Sequence, residues 1–282
     1  MYLIFIYMKK THRQLMKEFF YPDNLSDYNL PKNSELNKLI DKSYIINLKK
    51  DKHKLNRFMK NKNHKTFKND FNVIEAINGK KIKKEKVSLD EIKLTYKWFD
   101  YLKVSDIPYV RDLGFNNEVT ISDTEIAICL SHLKCWRDFH QNGKQGDYAL
   151  IVEDDVCFSD NFENKLKLIL DSISNVNYHM LYVGYLPDAW SFEFEELNEF
   201  TYKIKNGVWF LSSYIISWEA INELLNRLPI FGPVDMWIQF QFDFLKPIAT
   251  KKFLCIQEDY YKSSNTYSFY SRKHNPVYRE VK

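Results

Sequence analysis

Apolar residues along this chain fall into two kinds of run. The first is short and nearly continuous: Ser43-Tyr44-Ile45-Ile46-Asn47-Leu48, Tyr148-Ala149-Leu150-Ile151-Val152, Met180-Leu181-Tyr182-Val183, and Val208-Trp209-Phe210-Leu211 continuing to Ile216. Runs of this length read as strands buried on two faces. Phe71 to Ile77, closed by Asn78-Gly79, reads as another strand. The second kind has helical spacing. Leu55, Phe58 and Met59 recur within the basic stretch Lys49–Lys60, and Ile126, Cys129, Leu130, Leu133 and Trp136 form an apolar stripe. Ser122-Asp123-Thr124-Glu125 before that stripe has the form of a capping box, and Asn142-Gly143 marks its end. Ser217 is placed to cap a helix running to about Arg227, and a further helix is predicted from Leu89 to Leu102. Strands alternating with helices predict an α/β architecture with a mainly parallel sheet. Residues 1–40, with polar stretches at Pro22-Asp23-Asn24 and Pro31-Lys32-Asn33, read as an N-terminal extension to a domain over 41–282.

Composition narrows the function classes. Of 282 residues 45% are hydrophobic, enough for a sizeable core and incompatible with wholesale disorder. With only 7 Gly, no Gly-rich phosphate loop of the dinucleotide or Walker type is found. Lys+Arg of 41 against Asp+Glu of 37 leaves +4, without the clustered basic face that nucleic-acid binding needs. The cysteines, Cys129, Cys135, Cys157 and Cys255, lack zinc-ligand spacing and read as reduced thiols of a cytoplasmic compartment. The opening Tyr2–Met8 run is too short for a membrane span and reads as a strand or docking segment. The mildly basic balance allows loose peripheral contact with an anionic membrane.

The chemistry concentrates where the Tyr148–Val152 strand stops at Glu153-Asp154-Asp155. Ligands of open α/β sheets bind at the carboxyl ends of strands. Three adjacent carboxylates there repel one another unless a cation neutralises them. In an extended segment Glu153 and Asp155 share a face and Asp154 points away. That pair suits an oxygen-seeking Mn²⁺ or Mg²⁺ that bridges substrate phosphates. Glu125 and His132 lie nearly on one face of their helix, although the capping box alone explains Glu125. Ser131 beside His132 could add polar contacts to a ligand. Asp235, in Pro233-Val234-Asp235, fits either an N-cap or a general base.

These segments resemble, in order, the elements of a known family: the glycosyltransferases typified by lipooligosaccharide galactosyltransferases, to which collagen β-galactosyltransferase domains belong. Ile45-Ile46-Asn47-Leu48 with trailing basic residues and Arg57 is similar to its first strand and helix. Phe71 to Gly79, Glu125-Ile126 with Leu130-Ser131-His132 and Trp136, Leu150 to Val156, Tyr214 to Ser217, and Pro233 to Asp235 resemble its later elements. Asn78 stands in place of the usual Asp, and Thr124, Ala127 and Ser213 in place of glycines. The resemblance implies a GT-A-like, Rossmann-like fold and a metal-dependent, inverting transfer of a hexose, galactose from UDP-galactose, to a glycan or hydroxylysine-type hydroxyl on a glycoprotein. It implies Asp235 as base and Glu125 in the active-site wall. It further implies Asn47, Arg57, Ser131, His132, Glu153 and Asp154 toward the donor, with the metal on Glu153 and Asp155. Two alternatives stand beside this: a catalytically silent sugar-nucleotide-binding protein, and a metal-dependent phosphoester hydrolase.

Overall fold

The computed structural model describes residues 40–61, 70–97, 118–186 and 193–257. The chain opens with β1 (Lys42–Asn47), α1 (Lys52–Lys60) and β2 (Phe71–Glu75). Three short strands follow, β3 (Ile92–Lys93), β4 (Thr95–Lys97) and β5 (Glu118–Thr120). Next come α2 (Asp123–Asn142), β6 (Tyr148–Glu153), β7 (Val156–Phe158) and α3 (Phe162–Ser172). The second half adds β8 (Met180–Leu186), β9 (Phe194–Glu196), β10 (Thr201–Ile204), β11 (Trp209–Ser217) and α4 (Trp218–Asn226). It finishes with β12 (Ile230–Phe231), α5 (Val234–Gln239), α6 (Phe242–Leu245), β13 (Ile248–Thr250) and β14 (Cys255–Gln257).

Eight strands form one sheet in the order β2-β1-β6-β11-β8-β13-β10-β9. β1 runs parallel to β2 and β6, and β13 parallel to β8. β11 is antiparallel to β6 and to β8, and β10 to β13 and β9. The α/β expectation therefore holds, with a sheet that mixes both senses. The apolar runs could not distinguish them, because continuous apolarity reports burial on two faces and not the direction of the neighbour.

Alternate residues of the central strands feed two cores. Tyr44, Ile151, Tyr182 and Tyr214 pack with Ile126, Leu133 and Trp136 of α2, Ile221 of α4 and Trp237 of α5. Ile45, Leu150, Val183 and Ile215 pack with Phe58 of α1 and with Phe162, Leu166 and Ile169 of α3. Each fully buried aliphatic or aromatic chain contributes about 1.5–3 kcal/mol of transfer free energy. Helices thus cover the sheet on each side, and its exposed working edge lies at the strand ends.

Local chemistry sets α2 as expected. The Ser122 hydroxyl accepts from the Glu125 amide at 3.2 Å, and the Glu125 carboxylate accepts from the Ser122 amide at 2.9 Å. Gly143 closes the helix without a left-handed turn (φ −106°). Its lack of a side chain is needed because a Cβ would lie 2.8 Å from the Phe139 ring.

The predicted helix from Leu89 to Leu102 is not formed over its described part. Ile92 pairs alongside Ile230 and Tyr96 alongside Val119, in β3 and β4. The sequence Ile92-Lys93-Leu94-Thr95-Tyr96 alternates with period two, the strand signal, and Ile92 and Tyr96 are buried. Residues 98–102, the extension over 1–39 with its Tyr2–Met8 run, and the C-terminal stretch 258–282 lie outside the described residues. Among the described residues no helix is long and apolar enough to cross a membrane, and all four cysteines are free.

Candidate functional site

β6 delivers Glu153 to the sheet edge, where a turn at Asp154-Asp155 leads into β7. The turn achieves what an extended i, i+2 spacing predicts. Glu153 Oε2 and Asp155 Oδ1 lie 3.1 and 3.4 Å from one atom, Nε2 of Gln257 on β14. Asp154 turns the other way, accepting from Asn47 Nδ2 at 2.6 Å and from Lys54 Nζ at 3.4 Å. Burial, then the charges of Glu153 and Asp154, push the Asp155 carboxyl up to about 7, against the pull of Lys54 and Gln257. Asp154 is also raised, chiefly by burial, with Lys54 and Asn47 opposing.

Glu153 and Asp155 both reach the Gln257 amide, and carboxylate oxygens are the ligand type a hard divalent cation takes. Among the described residues no group of three or more His, Cys, Asp or Glu side chains is spaced to hold a metal. An ion on Glu153 and Asp155 alone would have to take the rest of its shell from water and substrate phosphate, as Mg²⁺ commonly does.

His132 reaches Glu153 from α2. The indole Nε1 of Trp136 can only donate, and does so to the Tyr214 hydroxyl at 2.8 Å. The same hydroxyl lies 3.0 Å from His132 Nδ1, so the three side chains form one buried chain of hydrogen bonds. Burial holds the Tyr214 phenol well above its ordinary pKa, so it remains a donor. On the other side of the ring, His132 Nε2 lies 3.6 Å from Glu153 Oε1. That distance gives electrostatic orientation and not a full hydrogen bond.

A second carboxylate faces the same edge. β11 starts there, antiparallel to β6, and its Phe210 amide donates to Asp235 Oδ2 at 3.4 Å. Asp235 does not cap α5. The cap position is Pro233, and Asp235 sits inside the first turn with Oδ1 accepting from the Met236 amide at 3.1 Å. Burial pushes its carboxyl up to about 6, the amides of Phe210 and Met236 lower it, and the charge of Glu125 raises it again. Glu125 is therefore an electrostatic neighbour of Asp235. Its Oε2 is engaged by the Ser122 amide and hydroxyl at 2.9 and 2.8 Å, so the cap and the site share one carboxylate.

The remaining candidates divide by position. Asn47 is buried and ties β1 to Asp154 and to the Asp51 carbonyl. Arg57 is on the exposed side of α1, one turn beyond Lys54. Ser131 is committed inside the protein: it donates to the Ala127 carbonyl at 2.6 Å and accepts from the Ile77 amide at 2.9 Å, locking α2 to the end of β2. Sequence reasoning missed Lys54 and Gln257 as partners of the acidic triplet. Lys54 was visible as a cation on the helix following β1, but Gln257 lies 102 residues beyond Asp155 with no local pattern around it.

Comparison with known proteins adds an independent line. The model of glycosyltransferase family 25 (LPS biosynthesis protein) matches residues 40–238. Procollagen galactosyltransferase 2 of Homo sapiens is 24% identical over 240 residues, 81% of this chain and 33% of that protein. The Mus musculus protein of the same name matches with the same identity and coverage. The chain thus spans about a third of the length of the curated relatives it matches. A crystal structure of UDP-glucose pyrophosphorylase complexed with UDP-glucose superposes with a TM-score of 0.32 at 14% identity, over 43% of this chain and 53% of that one. That likeness is too slight to build on.

Proposed function

The chain belongs to glycosyltransferase family 25, and on that premise we propose an inverting, metal-dependent transfer of a hexose, galactose from UDP-galactose, to the hydroxyl of a glycan or hydroxylysine-bearing acceptor. The observation that carries the reading is the pairing of Glu153 and Asp155 at the end of β6, both within hydrogen-bond reach of the Gln257 amide. Mn²⁺ or Mg²⁺ bound by this pair supplies positive charge for the leaving diphosphate. Gln257 holds the two carboxylates together, His132 orients Glu153, and Lys54 with Asn47 keeps Asp154 turned away from them.

Inversion requires the acceptor hydroxyl to lose its proton on the sugar face opposite the departing diphosphate. Asp235 is our base. A carboxyl raised to about 6 is a stronger base than an ordinary aspartate yet remains ionised at neutral pH. Burial is the chief cause of that basicity, and the charge of Glu125, buried and fixed by Ser122, adds a smaller contribution.

A thermal-shift panel of UDP-galactose, UDP-glucose and UDP-N-acetylglucosamine, each with and without Mn²⁺, tests the reading. A ligand that binds only the native state raises Tm by mass action. The expected result is a Mn²⁺-dependent rise, largest with UDP-galactose, that is abolished in Asp155→Ala. Absence of a shift with every UDP-sugar at millimolar concentration, metal present, would overturn it.

A further inference from the structure

Phe210 combines features that its place in the sheet does not explain. It is the exposed residue of β11, whose positions from Leu211 to Ser217 are all buried. At 37% relative exposure it is one of three large apolar residues left open among the described residues, with Val73 and Leu89. Its backbone is left-handed, at φ 71°. Glycine adopts that conformation freely and a bulky aromatic residue does not. The pairing of β11 with β8 shifts register between Trp209 and Ser213, a bulge of the kind that re-aims a side chain beside a site.

The surroundings fix this conformation. The Phe210 amide donates to Asp235, and Gln239 Nε2, from the same helix as Asp235, donates to the Val208 carbonyl at 2.9 Å. Two hydrogen bonds to α5 therefore clamp the segment from one side. An exposed ring on a strained backbone gains little from burial, and strain held in place by its neighbours marks positions with a function.

We propose that the Phe210 ring is the acceptor platform: it stacks on the apolar C–H face of the pyranose that bears the reacting hydroxyl. The proposal rests on the transferase reading, in which Asp235 takes that hydroxyl's proton. The group carrying the hydroxyl must then lie within a side chain's length of Asp235, and the Phe210 amide touches that carboxylate. A flat apolar ring with no hydrogen-bonding atom matches the flat C–H face of a sugar. It orients the acceptor without competing for its hydroxyls.

Saturation-transfer NMR on the full chain tests this without turnover. The probes are methyl β-galactopyranoside, methyl β-glucopyranoside, N-acetylglucosamine and a hydroxylysine-containing peptide, each with and without UDP and Mn²⁺. The expected result is saturation of the ring C–H protons of at least one glycoside by the wild type. It falls at least about tenfold in Phe210→Ala and Phe210→Gly and survives in Phe210→Trp. Phe210→Gly relieves the backbone, so its Tm should equal or exceed that of the wild type and a folding defect cannot mimic the loss. Undiminished saturation in the Ala and Gly variants overturns the proposal, as does saturation of the peptide alone or of no probe by the wild type. Failure of the transferase reading shows differently, as no response to any UDP-sugar in the thermal-shift panel.

Discussion

At Asp235 and Asp155 burial and like charge oppose ionisation, so the protein holds these protons more tightly folded than unfolded. The Asp235 carboxyl lies at about 6 in the fold against 3.8 for an ordinary aspartate. Between those values the native state binds a proton that the unfolded chain has released, and stability falls as pH rises through the window. By pH 7 the loss is complete. Asp235→Asn removes it, and is expected to melt higher than the wild type at pH 7.5 and level with it below about pH 4. Partial exposure discounts the gain to about 1 kcal/mol, or roughly 2–4 °C for a domain of this size. Differential scanning calorimetry at the two pH values, with chelator present, measures it. The same variant should lose activity about a hundredfold or more if the carboxylate is the base. A more stable but inactive protein is the signature of a residue kept for chemistry.

At the level of elements, β14 is held against β8 by a close approach that only glycine permits. A Cβ on Gly184 would lie 2.4 Å from the Cys255 carbonyl oxygen and 2.5 Å from Ser213 Oγ. The Leu254 amide bonds the Val183 carbonyl at 2.9 Å across the same contact. Because β14 carries Gln257, the glycine positions the amide that gathers Glu153 and Asp155. Gly184→Ala is expected to cost about 1–3 kcal/mol through overpacking. It should also weaken the Mn²⁺-dependent donor response beyond what the stability loss explains, which titration calorimetry well below Tm can separate. Element signals in the sequence were uneven. α2 was legible because its cap, stripe and stop are all local. The segment with β3 and β4 forms strands where a helix is predicted: its Ile-Lys-Leu-Thr-Tyr alternation is present, but a strand so short is stabilised by the distant Ile230 it lies beside.

For the whole molecule, the two cores on opposite sides of the sheet should behave as separable sources of stability. Ile126 on α2 and Ile169 on α3 are both fully buried, in different clusters. Truncating either to Ala is expected to cost about 2–5 kcal/mol. The double variant should be additive within about 0.5 kcal/mol, since the sites share no partner. Ile126→Ala should also weaken the donor response, because α2 carries Glu125 and His132, whereas Ile169→Ala should leave it intact. Urea unfolding of the two single variants and the double variant, with donor titrations of each, checks this. The sequence alone determined what local patterns encode: the central strands, helix α2 with its capping box, and an acidic strand end. Hydrophobic periodicity records how deeply a segment is buried and on which side, and side-chain alternation records which residues share a face. Neither records which segments become neighbours. Tertiary structure alone decided that β11 runs antiparallel between β6 and β8. It alone brought Gln257 to Glu153 and Asp155, passed the Trp136 and Tyr214 hydrogen bonds to His132, and set Phe210 beside Asp235. Those contacts join residues tens to more than a hundred positions apart, and they form only when the packing of both cores has chosen one topology.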